Sequence, residues 1–110
     1  MAITNYQVGA TVSTGAYASS GANAVTAMYI TNKSSSDGNV NIYVVPSANV
    51  ASFESSSSEN YKIYNNLLVP AEDTYVIDSE KLILESGDKI YIAAPDSAAQ
   101  FNATISTIGL

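Results

Sequence analysis

A chain of 110 residues reads as one domain; at 11.5 kDa surface scaling gives about 5,800 Å² exposed when folded against about 16,700 Å² extended, enough burial for one core. Net charge is −6, with four lysines and no arginine, and Lys33, Lys62, Lys81 and Lys89 stand singly, which argues against nucleic acid and against an anionic membrane surface. Cysteine and histidine are absent, so disulfides, thiolate metal sites and imidazole acid–base chemistry are excluded.

The first residues, Met1-Ala2-Ile3-Thr4-Asn5, have neither a basic nor an apolar signal region, and no apolar run approaches the roughly 20 residues of a membrane span. The expectation is a soluble protein made in a cytosol. Ile3 to Thr11 reads as a first strand or an extended arm, and Ser13 to Asn23 is rich in Gly, Ala and Ser. Residues 1–23 are therefore set apart from a sandwich over 24–110, all within one domain.

Period-two alternation then dominates. In Ala24 to Asn32, residues Val25, Ala27 and Tyr29 point one way and Thr26, Met28 and Ile30 the other. Asp37-Gly38 closes a turn-forming run, and Val40, Ile42 and Val44 alternate with Asn41, Tyr43 and Val45 up to Pro46, which predicts a hairpin. Ser47 to Asn60 reads as a long loop, with room for a turn of helix near Ser47 to Phe53 or Asp96 to Ala99. Strands are predicted at Tyr61 to Val69, Thr74 to Ile77, Leu82 to Leu84, Lys89 to Ala94 and from Phe101 to Ile108. Seven or eight short strands at about ten-residue spacing predict an all-β, single-domain antiparallel β-sandwich of jelly-roll or immunoglobulin-like type, a small barrel being the alternative.

Catalytic constellations are weak. Without His, a serine nucleophile would need Lys81 or Lys89 as its base. The pairs Asp78/Glu80, Glu72/Asp73 and Glu85/Asp88 have no cleft between them that spacing reveals. Asp37, Asn39, Asp73, Asp78 and Asp88 offer oxygen ligands for calcium, but in no EF-hand spacing, and Asp favours turns without any metal. The expectation is no enzyme, no cofactor and no metal. The tyrosines say more: Tyr43 and Tyr91 each alternate with an aliphatic face, so the sheet has two apolar faces, one for the core and one for a partner. Candidate contact residues are Ile3, Tyr6, Val8, Tyr29, Tyr43, Tyr64 and Tyr91.

Three segments carry a resemblance. Ala24-Val25-Thr26-Ala27-Met28-Tyr29-Ile30-Thr31-Asn32 with Val40-Asn41-Ile42-Tyr43-Val44-Val45-Pro46, then Leu84-Glu85-Ser86-Gly87-Asp88-Lys89-Ile90-Tyr91-Ile92-Ala93-Ala94, and the tail from Phe101 to Leu110, resemble small virion structural proteins of tailed bacteriophages. The resemblance implies a capsid decoration (cement) protein assembled in the host cytoplasm. Its partners would be the major capsid protein or other virion proteins, and it would be a homo-oligomer, a trimer being one form open to it. The arm Ala2 to Val8 would add a strand to a neighbouring subunit. The alternative is a small tail, neck or fibre-associated protein that binds host-surface carbohydrate; the lack of Trp weighs against it.

Overall fold

The computed structural model describes residues 2–12, 15–78, 82–96 and 100–110. Two antiparallel sheets face each other. The front sheet runs β1 (Ala2–Gln7), β9 (Phe101–Gly109), β3 (Asn23–Asn32), β6 (Thr74–Ile77), with β7 (Leu82–Leu84) also beside β3. The back sheet runs β2 (Tyr17–Ala18), β8 (Lys89–Ala93), β4 (Gly38–Val45), β5 (Lys62–Val69). β6 pairs with one half of β3 and β7 with the other, so together they fill one strand position. The chain is then a long hairpin whose arms pair as β1 with β9, β2 with β8, β3 with β6 and β7, and β4 with β5. Wrapped into two sheets, that order is the jelly roll. Of the architectures that the alternation allowed, this is the one formed.

Between the sheets lie Val25, Met28, Ile30, Val40, Ile42, Val69, Ile90, Ile92, Phe101, Ala103 and Ile105, all buried. The accessible surface of 5659 Å² agrees with the value scaled from chain mass. Strict alternation fails at two places, each through a bulge. Register shifts between Val25 and Ala27, so Val25, Met28 and Ile30 all face the core, and Ala27 and Tyr29 turn outward. The β5 register shifts twice, and the extra residue between Tyr64 and Leu67 is the one that reverses the faces. There Asn66 takes φ 53°, and its N–H donates to the buried Asn41 Oδ1 at 2.8 Å.

The N-terminal stretch is integral to the sandwich. β1 pairs in register with β9 from Ala2 to Gln7, and Val8 is 1% exposed with its N–H donating to Phe101 O at 3.1 Å. An arm given over to a neighbour would expose Val8 and strip a strand from the front sheet, so the strand, not the arm, is the correct reading. β2 in the Gly/Ala/Ser-rich run carried no period-two signal because only two residues pair.

Ser47 to Tyr61, expected as a loop with at most one helical turn near Ser47 to Phe53, holds three helical pieces: a 3₁₀ turn (Ser47–Asn49), α1 (Val50–Ser56) and a second 3₁₀ turn (Glu59–Tyr61). One residue anchors it. Phe53 is fully buried against Tyr43 and Tyr91, with ring centroids at 5.1 and 4.6 Å, and Tyr61 meets it edge-on at 5.8 Å. Asp88 fixes the start of the segment, accepting Ser47 N–H through Oδ1 and Glu85 N–H through Oδ2, both at 2.9 Å. Gly87 has φ +90°, and a Cβ there would come within 2.8 Å of Ser47 Cβ. The Gly87-Asp88 pair thus has a local structural role in this chain: it turns β7 into β8 and holds the helix in place.

Asn32 ties the sheets together. Its Nδ2 donates to Val69 O at 3.0 Å and Ser36 O at 2.9 Å, and its Oδ1 accepts Ser34 N–H at 2.9 Å. Two stability changes follow. Phe53→Ala removes the only buried side chain of α1 and is expected to cost about 3–5 kcal/mol, with a rise in binding of a hydrophobic dye as the tyrosine face opens. Asn32→Asp sets a carboxylate against two carbonyls and should cost about 3 kcal/mol; urea midpoints measure both.

Candidate functional site

The seven residues that the sequence marks for contact separate into three groups. Val8, Tyr43 and Tyr91 are buried, at 1%, 7% and 0% exposure, and no partner reaches them in the folded chain. Tyr6 and Tyr64 are half-buried against the inter-sheet core. Ile3 and Tyr29 are exposed, at 65% and 41%. The expectation of a second apolar face on the strands of Tyr43 and Tyr91 is right in chemistry and wrong in its occupant. The cover is the chain's own helix: Tyr43, Val45, Phe53 and Tyr91 form a second buried cluster with Val12, Val50 and Tyr61 around it.

That cover has one polar clasp. Tyr91 OH donates to Glu54 Oε2 at 2.5 Å, and Lys89 Nζ lies 3.3 Å from the same oxygen. The hydrogen bond from Tyr91, then the one from Lys89, hold the Glu54 carboxyl below the usual carboxylate range. Burial, then the bond to Glu54, push the Tyr91 phenol well above its ordinary value. A shallow depression of about 250 Å³ beside this cluster is lined by Thr11, Val12, Tyr43, Ser57, Ala93 and Pro95. It gathers no acid and no lysine.

The acids considered for calcium or catalysis do not converge. Among the described residues no three acidic side chains come together. Asp37 Oδ1 accepts Ala71 N–H and Asp73 Oδ1 accepts Thr74 N–H, while both oxygens of Asp88 accept backbone N–H groups. Glu80 and Lys81, and the helical turn considered up to Ala99, lie outside the described residues or run into them.

In the back sheet β5 exposes Ile63 and Leu68, but the widest open strand surface is the outer face of the front sheet. Register places its side chains in four rows across the strands. Gln7, Asn102, Thr31 and Thr74 form the first, and Asn5, Thr104, Tyr29 and Val76 the second. Ile3, Ser106 and Ala27 form the third, and Ile108, Ala24 and Ile83 the fourth. Val76, Ile83 and Ile108 are exposed at 44%, 69% and 45%. Hydrogen bonds brace the grid: Thr104 Oγ1 donates to Asn5 Oδ1 at 2.8 Å, the Thr31 and Thr74 hydroxyls bond to each other at 3.1 Å, and Thr26 Oγ1 donates to Ser106. The face grades from amide and hydroxyl groups at one end to isoleucines at the other.

No strand of the front sheet contains a charged residue. Charges sit instead in the loops, as with Lys33, Asp37, Glu72, Asp73 and Asp78, and in Lys62 and Lys89 of the back sheet. For a chain of net charge −6 that separation is the principal surface feature. Strand and row spacings make the grid about 15 Å by 20 Å, on the order of 300 Å², less than the ~800 Å² per partner of a standard interface. One copy supplies the centre of a contact, and rim loops or repeated copies supply the rest. Val76, Ile83 and Ile108 escaped the tyrosine-led sequence reading. The available signal was the absence of charge: the first charged side chain in the sequence is Lys33.

Comparison with known protein families, with characterised proteins and with solved structures finds no match to this chain.

The clasp gives a pH dependence with a definite sign. Glu54 is held low, so its contribution is present above the ordinary carboxylate pKa and is lost as pH falls through the folded-state value. Tyr91 is held high, so its contribution is complete below the ordinary phenol pKa near 10 and is lost as pH rises beyond it. The difference in melting temperature between the wild type and Glu54→Gln should be greatest between about pH 5 and 9, and should shrink on both sides.

Proposed function

We propose that this chain is a non-enzymatic virion structural protein, a capsid decoration protein that adheres to a phage head through the outer face of its front sheet. The observation that carries this reading is the charge-free grid centred on Tyr29. Protein contacts deplete charge at their core, and here the strands of the grid have no charged side chain while Lys33, Asp37, Glu72, Asp73 and Asp78 sit in loops. A flat sheet without a cleft suits a broad partner surface more than a small substrate. The resemblance of Ala24 to Asn32 and Leu84 to Ala94 to phage virion proteins supplies the identity of that surface. The jelly roll supports it as analogy, since capsid domains share this fold with unrelated functions. A contact of about 300 Å² per copy is workable on a head, because many identical sites lie within reach of one another.

The second reading, a tail- or fibre-associated protein that binds host carbohydrate, rests on Tyr29. It is an exposed ring between Thr104 and Val76, with the amide of Asn5 beyond Thr104 in the same row, an arrangement able to stack on and hydrogen-bond to a sugar.

Co-sedimentation with heads assembled in the absence of this protein separates the two. Saturable binding at a fixed copy number per capsid subunit is expected. Val76→Asp sets an unpaired charge in the contact and should weaken binding at least about 100-fold with little change in melting temperature. Ile63→Lys, on the exposed side of β5, should bind as wild type. Absent binding to heads together with saturable binding to a glycan would move the assignment to the second reading.

A further inference from the structure

We propose that two copies of this chain join edge to edge, β1 to β1, in an antiparallel two-fold dimer that makes the two front sheets continuous. Backbone geometry supplies the first argument. The Val8 N–H points to β9 and bonds Phe101 O at 3.1 Å. Antiparallel strands direct the N–H and C=O of one residue to the same side and alternate that side along the chain. Ala2, Thr4 and Tyr6 therefore turn their backbone groups to β9, and Ile3, Asn5 and Gln7 turn theirs to the open edge. Three donors and three acceptors stand there in a row with no strand beside them among the described residues.

The second argument is the contrast between edges. Exposed strand edges in natural proteins are guarded by charge, proline, bulges or brevity. β5 carries Lys62 and a bulge at Asn66. β2 is two residues long. The edge formed by β6 and β7 is split between Ile77 and Leu82 and flanked by Asp73 and Asp78. β1, Ala2–Gln7, has six residues with no charge, no proline and no bulge.

Electrostatics selects the same place. Two chains of charge −6 repel, and their approach costs least where each is neutral. Residues 2 to 32 contain no charged side chain, and β1 borders only β9, which has none either.

Pleat parity then fixes the register. Both copies must keep inner and outer faces aligned, so paired residue numbers sum to an even value. A sum of ten sets Asn5 opposite Asn5 of the second copy on the two-fold axis, and Ile3 opposite Gln7 of the second copy. All three outward-pointing residues are used, giving about six hydrogen bonds. The strand order becomes β6, β3, β9, β1, then the same four reversed, and the charge-free face doubles. This dimer is a property of the purified chain and does not depend on the proposed function.

Sedimentation equilibrium over a concentration series tests it, with the monomer at 11.5 kDa. Wild type should reach twice that mass. Asn5→Pro removes an N–H that faces the open edge and leaves the bonds to β9 intact, a position where strands tolerate proline. It should raise the dimer dissociation constant about 30-fold. Asn5→Lys sets like charges across the axis and should do so at least as strongly, and it carries the test if the proline variant does not fold. Mixing Asn5→Lys with Asn5→Asp should restore a dimer that neither forms alone. A monomeric wild type, a trimer, or dimers that persist unchanged in both variants would overturn the proposal.

Discussion

Strands β4 and β8 are apolar on both sides, and the rest of the molecule is arranged around covering them. Ile42, Ile90 and Ile92 face the front sheet, while Tyr43, Val45 and Tyr91 face away from it. A sheet with one dry and one wet face needs a single cover; this one needs two. The front sheet is the first. The second is a seven-residue helix held by Phe53 at its centre and by the Glu54–Tyr91 bond at its edge. So short a helix is not stable alone; its tertiary contacts hold it. The turn at Gly87-Asp88 and the bond to Ser47 serve to deliver Phe53 to the tyrosines.

Covering β4 and β8 internally leaves the broader open face on the other side of the sandwich, with Ile63 and Leu68 of β5 the exposed apolar residues on the covered side. Jelly-roll order sets β9 and β3 at the middle of the front sheet, and both are neutral throughout. Their inward residues fill the core. Their outward residues, Tyr29, Thr104, Ser106 and Ile108, are too weakly polar for an ordinary solvent face and too hydroxylated for a core. Such a surface bonds readily to another protein's backbone and side chains, and it brings no charge that must be desolvated. The same neutrality extends to β1, where backbone groups rather than side chains are on offer.

Much of the fold was legible in the sequence because period-two alternation follows directly from the pleat. The strand ends at Asn32, Val45, Val69, Ile77 and Leu84 coincide with predicted ones, and all-β class with two layers follows from their number and spacing. Alternation misassigned faces only at the two bulges, since one inserted residue reverses every later side chain. Only a turn of helix near Ser47 to Phe53 was expected, and its extension to Ser56 was not, because a single anchoring phenylalanine leaves no 3.6-residue period to detect. Of the seven contact candidates, the tyrosines were chosen by residue type, and Ile3 and Val8 as parts of an N-terminal arm. Ile3 and Tyr29 lie on the surface, whereas Val8, Tyr43 and Tyr91 are interior, because residue type reports affinity for burial and not what does the burying.

The sequence by itself determined the strands, the neutral N-terminal third, the lack of histidine and cysteine, and the presence of more apolar strand face than one inter-sheet core consumes. These are local or compositional properties, and no partner in the fold can alter them. Tertiary structure alone decided which apolar face the chain covers itself, which face is left open, and which strand has an unguarded edge. Those outcomes depend on strand order, and strand order arises from contacts between residues as distant as Asn5 and Thr104, whose separation along the chain leaves no trace in local periodicity.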